Sequence, residues 1–190
     1  MSQQALLRRV ARALGGAGIP YMVTGSLASS LQGELRATHA IDLVVAVSEN
    51  DVPSLVASLA GPDLYLDGIA VAEAVRQRGM FNLIQPASGD KVDFWLLKDD
   101  PYDGERFGRR ITVDALGMRL AVSAPEDTIL MKLHWARRSG GSEKQVADAL
   151  GVYEVQARVL DRAYLQAWAR WLGVSNLLAE IEARAEPLEG

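Results

Sequence analysis

Two aspartates stand inside apolar runs: Asp42 in Ile41-Asp42-Leu43-Val44-Val45 and Asp93 in Val92-Asp93-Phe94-Trp95-Leu96-Leu97. A carboxylate in such a run is costly to bury unless something compensates it. Side chains two apart on a strand share a face, so positions 40 and 42 aim at one point. Two acids on strands of one sheet can converge on a hard cation, which takes oxygen ligands. Asp42 and Asp93 are therefore the candidate metal ligands and catalytic acids, while each alone reads otherwise as an edge-strand residue or a member of a structural ion pair. Upstream, the apolar Tyr21-Met22-Val23 runs into Thr24-Gly25-Ser26. A helix opening there presents unsatisfied N–H groups and the positive end of its dipole to an anion. Gly25 lets the backbone approach a phosphate, and the Ser26 hydroxyl adds a donor. Gly-Ser before a helix also serves as a plain turn and cap, and by itself it does not choose between the two. Combined with the acids, it describes a site for a nucleoside triphosphate (NTP) and a divalent metal. Where that site wants a further acid, two residues before Asp42, the chain has Ala40.

The elements that must position these residues follow from hydrophobic period and punctuation. Strands are expected over 21–23, 41–47, 80–85 and 91–97, with a hairpin of 110–114 and 118–122 around Leu116-Gly117. Helices are expected over 51–59, 71–78 and 102–107, and Ser26 is expected to cap a helix through Leu31 that Gly33 closes. An amphipathic helix precedes them all, with Leu6, Leu7, Val10, Ala13 and Leu14 at helical spacing beside Arg8, Arg9 and Arg12. From Pro125 onward the pattern is helical: 125–138, 142–150, 154–160, 162–172 and 175–184. The expected fold class is α/β (α+β), a small mixed sheet flanked by helices. The core domain would occupy residues 1–124 and a C-terminal helical region residues 125–190.

Composition sets the outer bounds. With 190 residues, 49% hydrophobic and 23% charged, the chain is long enough to bury a core and is not of disordered type. Cysteine is absent, which excludes a disulfide framework, a thiolate metal site and a cysteine nucleophile. No apolar run reaches the roughly 18 to 20 residues that span a bilayer. The first residues form an amphipathic pattern and no signal-type apolar segment, so a cytoplasmic protein with no membrane partner is expected. Net charge is −4, so a nucleic-acid partner would need a local basic patch. The best one is Arg137-Arg138 with Lys144, which reads equally as a solvated helix end. His39 and His134 lack a spaced partner for metal binding, and Trp135, Trp168 and Trp171 read as packing residues.

The run Val23-Thr24-Gly25-Ser26-Leu27-Ala28, then Gly33-Glu34-Leu35-Arg36-Ala37-Thr38, then Ile41-Asp42-Leu43-Val44-Val45, resembles the nucleotidyltransferase superfamily related to DNA polymerase beta. That signature is an apolar strand, Gly-Gly or Gly-Ser, a spacer, and Asp-x-Asp or Asp-x-Glu, with a third acid on a later strand, which Asp93 matches. Ala124-Pro125-Glu126-Asp127-Thr128-Ile129-Leu130-Met131-Lys132-Leu133 and Ser142-Glu143-Lys144-Gln145 to Asp148 look like the bacterial toxin-type branch of abortive-infection and toxin–antitoxin operons. The resemblance implies transfer of a nucleoside monophosphate from an NTP to a hydroxyl on RNA (a tRNA end) or on a protein. It implies two Mg²⁺ ions held by the sheet acids, and an antitoxin protein as partner. An antibiotic-modifying nucleotidyltransferase shares the chemistry and differs in acceptor. Gly25 and Ser26 would cradle the phosphates and Lys132 would neutralise triphosphate charge, with Arg36 and Lys144 as weaker candidates. Lys132 reads otherwise as a solvated helix lysine. Ala40 is the departure, because it removes the carboxylate that bridges the metals. The chain as written is expected to be inactive or nearly so. It would then be either a non-catalytic module that binds nucleotide or a partner, or an enzyme carrying an inactivating alanine.

Overall fold

The computed structural model describes residues 2–33 and 40–186. Arg36 and His39 lie outside the described residues. In chain order the elements are α1 (Gln3–Gly16), β1 (Tyr21–Thr24), α2 (Gly25–Gln32), β2 (Ala40–Val45), α3 (Val52–Leu59), α4 (Gly68–Gln77), β3 (Met80–Gln85), β4 (Asp90–Leu96), α5 (Pro101–Gly108), β5 (Ile111–Ala115), β6 (Met118–Val122), α6 (Pro125–Arg138), α7 (Glu143–Gln156), α8 (Arg162–Leu172) and α9 (Ser175–Arg184). The chain divides into two compact units: Met1–Thr24 with Thr38–Val122, and Gly25–Ala37 with Ser123–Gly190. The fold is mixed α/β, as expected.

The first unit is built on a mixed sheet of order β3-β4-β2-β1-β6-β5. β2 and β4 run parallel, as do β1 and β6, while the remaining neighbours are antiparallel. One face of its β3-β4-β2 part is almost wholly apolar: Ile41, Leu43, Val92, Phe94 and Leu83 are fully buried, and Phe81 stacks on Phe94 with ring centroids 4.6 Å apart. Alternation puts the odd residues of β2 on that face, so the even ones, Asp42 among them, look the other way. On that opposite face Met22, Val44 and Phe107 of α5 form a second apolar cluster, joined by Trp95 and Leu97. The tight turn between β5 and β6 has Leu116 and Gly117 both at positive φ, the geometry that two-residue hairpins favour.

The second unit is helical. α2 packs against α6 and α7, and α8 and α9 complete the bundle around buried Ile129, Leu133, Val152 and Leu165. The two helices expected over 142–150 and 154–160 are one, α7, which continues through Gly151. A methyl on Gly33 at the end of α2 would come within 3.0 Å of the Gly151 carbonyl carbon. Gly33 therefore marks the close approach of α2 and α7, and Gly151 is not a helix stop. α8 and α9 have their expected ends, with Gly173 left-handed after α8. No helix among the described residues is long and apolar enough to cross a membrane.

Candidate active site

Strand register decides which side chains meet. Asp42 pairs in register with Asp93 on the parallel neighbour β4, with Thr24 on β1, and Asp93 pairs in turn with Asn82 on β3. Register partners point the same way, so Thr24, Asp42, Asp93 and Asn82 form one row across the sheet. The next row on that face holds Ala40, Lys91 and Ile84, and the row on the other side holds Met22, Val44, Trp95 and Met80. The polar row thus lies between an apolar cluster that includes Phe107 of α5 and the row that holds Ala40.

Each carboxylate has local partners. Asp93 is 6% exposed. Its Oδ1 accepts from the Asn82 amide, and its Oδ2 accepts from Lys91 Nζ at 2.8 Å. A buried carboxylate needs such donors to offset lost hydration. Asp42 is half-buried, and Trp95 Nε1 donates to its Oδ1 at 3.4 Å. Sequence reading passed over Lys91, Asn82 and Trp95. The signal was there in the alternation Lys91-x-Asp93-x-Trp95, which puts all three on one face of β4.

These donors do not fit a two-metal centre. Ala40 brings no oxygen, and both Asp93 oxygens are engaged by protein donors. No group of three or more His, Cys, Asp or Glu side chains suited to a metal gathers among the described residues.

The other expected site residues lie in the helical unit. Gly25 has φ +64° and begins α2, so the helix starts one residue before the expected cap and Ser26 lies inside its first turn. A hydroxyl there is not capping the helix. It accepts from Lys132 Nζ at 3.3 Å. Lys132 is not a solvated lysine: it is buried on α6 and ion-paired at 2.8 Å with Asp148 of α7. Structure thus joins Ser26 to Lys132. Lys144 is exposed in the first turn of α7. In the basic stretch beside it, Arg137 donates to the Leu172 carbonyl at the end of α8, and Arg138 lies over the Trp135 ring. The motif residues Glu126 and Asp127 serve the bundle: Glu126 accepts from the Asp161 backbone N–H at 2.8 Å, and Asp127 accepts from the Tyr164 hydroxyl at 2.7 Å.

No family model matches the chain, and no curated protein matches it in sequence. Solved structures do resemble it. The solution structure of the antibiotic-resistance factor ANT(2'')-Ia is 15% identical, with a TM-score of 0.55 over 96% of this chain and 96% of that one. The crystal structure of ANT(2'')-Ia in complex with adenylyl-2''-tobramycin is 14% identical, with a TM-score of 0.56 over 97% and 99% of the two chains. An antigenic nucleotidyltransferase-like protein from Paracoccidioides brasiliensis is 16% identical, with a TM-score of 0.55 over 97% and 94%. At these identities the likeness is one of fold. The chain has the fold of the nucleotidyltransferases.

Proposed function

We propose that this is a nucleotidyltransferase-type protein, laid out to move a nucleoside monophosphate from an NTP to a hydroxyl and silent in that reaction as written. One observation carries the reading: Asp42 and Asp93 stand in register on neighbouring parallel strands, on one face, with alanine two residues before Asp42 on that same face. The acid pair is the part of the donor site that the chain keeps. In a full site, metal ions would supply charge neutralisation for the triphosphate and activation of the attacking hydroxyl. Here Asp42 and Asp93 are the residues that would face the nucleotide, Asn82 and Trp95 orient their oxygens, and no bridging acid follows from Ala40.

Two acceptor classes are in play. An RNA end or a protein hydroxyl, with a toxin role and an antitoxin partner, is supported by the sequence likeness of 124–133 and 142–148. A small cationic acceptor is supported by the fold likeness to ANT(2'')-Ia, which was solved with adenylyl-2''-tobramycin, and by a net charge of −4. The test is label transfer from α-labelled NTPs with Mg²⁺, offered total tRNA, a protein extract and a panel of aminoglycosides. The wild-type chain is expected to leave every acceptor unlabelled, while a variant with Ala40→Asp and Lys91→Met labels one of them. Turnover by the wild type in the ordinary range of about 1–10³ s⁻¹ would overturn the claim of silence. A double variant that binds metal and NTP yet labels nothing would overturn the claim of layout.

A further inference from the structure

Lys91 is the register partner of Ala40, and its ammonium sits 2.8 Å from Asp93 Oδ2. The position that lacks an acid therefore faces a cation, and that cation already holds the neighbouring acid. We infer that Lys91 is a built-in counter-cation, holding Asp93 where a divalent ion would otherwise do so and keeping such an ion off the acid pair. The transfer reading enters only in the expectation that a metal belongs on this face.

The physical case has three parts. Lys91's own cross-strand row offers Ala40 and Ile84, neither of which has a polar side-chain atom, so the ammonium reaches along its strand to Asp93. That contact cancels one of the two carboxylates an incoming cation would meet, and it places a positive charge beside the spot where the cation would bind. Charges of like sign a few ångströms apart repel strongly wherever water is partly excluded. Asp93 is buried, and its other oxygen is occupied by the Asn82 amide, so the carboxylate has little freedom to turn toward a second ion. A divalent ion can enter only by displacing the lysine. An acid restored at position 40 would stand directly opposite Lys91 and be drawn into the same pair, as opposite charges on adjacent strands are. Restoring the missing acid alone is thus insufficient to rebuild a metal site.

Mn²⁺ binding without nucleotide, read from the free Mn²⁺ signal in electron paramagnetic resonance, tests this directly. Four proteins are compared: wild type, Lys91→Met, Ala40→Asp and the double variant. Lys91→Gln, alone and with Ala40→Asp, serves as the second substitution, since it keeps a hydrogen-bond donor near Asp93 and removes only the charge. Thermal melts confirm that each is folded. The wild type should show no site, and Ala40→Asp with either Lys91 substitution should bind at least about tenfold more tightly than Ala40→Asp alone, a difference worth one unit in log K. Equal Mn²⁺ affinity for Ala40→Asp with and without Lys91, or a wild type that binds as tightly as the double variant, overturns the inference. Because no nucleotide or acceptor is present, the transfer reading can fail while this result stands, and the converse.

Discussion

Lys91–Asp93 on the sheet and Lys132–Asp148 in the helical unit have the same separation, 2.8 Å, in opposite surroundings. The side chains of the sheet pair are 46% and 9% exposed, and those of the helical pair 4% and 7%. In the helical pair both charges are desolvated, so removing either one takes compensation from a charge that water does not reach. In the sheet pair the lysine is half in water while Asp93 is buried, so the ammonium can exchange with solvent but the carboxylate still needs a donor. Distance alone would rank these contacts as equals. Burial separates them: one fastens α6 to α7, and the other is a reversible occupant of a polar face.

The contrast can be broken most easily where the effect is largest. Lys132→Met should cost about 3–5 kcal/mol by removing the ammonium that faces buried Asp148 at 2.8 Å. Urea denaturation reads that loss, and adding Asp148→Leu should recover most of it. A loss below about 1 kcal/mol would place the helical pair in the same class as an exposed one. Gly33→Ala is next. Its new methyl would meet the backbone of Gly151 and Val152 at 3.0 Å. Neither can swing aside as a side-chain end can, so a loss of about 1–3 kcal/mol is expected from overpacking α2 on α7. Smallest is Lys91→Met, which should cost about 1 kcal/mol, well below Lys132→Met, because Asp93, though buried, keeps the Asn82 amide as a donor. A loss comparable to that of Lys132→Met would mean that Lys91 is a structural member of the sheet and not an exchangeable cation.

Most of the fold was legible because period and punctuation carry it. The apolar runs around Asp42 and Asp93 placed β2 and β4, Leu116-Gly117 placed the hairpin turn, and Pro125 placed the start of α6. What failed was the meaning of two small residues. Gly151 reads as a stop in isolation, yet α7 runs on through it, and its backbone lies where a side chain on Gly33, far away in sequence, would reach. Ser26 reads as a cap, yet Gly25 takes the left-handed turn itself and starts the helix. In the site, each acid was visible as a charge in an apolar strand, but its partners were not. Lys91 becomes meaningful only through the register that sets it opposite Ala40, and register is a property of two strands. Lys132 was visible as a lysine in an apolar helix. Its claim by Asp148 depended on how α7 lies on α6.

The central claim, a nucleotide face at Asp42 and Asp93 that Ala40 and Lys91 keep silent, is tested most directly by ATP titration with Mg²⁺ and with EDTA. The proteins to compare are the wild type and the variant combining Ala40→Asp with Lys91→Met. The expected result is weak ATP binding by the wild type and an affinity at least about tenfold higher in the double variant. That gain should be present only with Mg²⁺ and be abolished by Asp93→Asn. Equal affinities in the two proteins, or a gain that persists in EDTA, would contradict it.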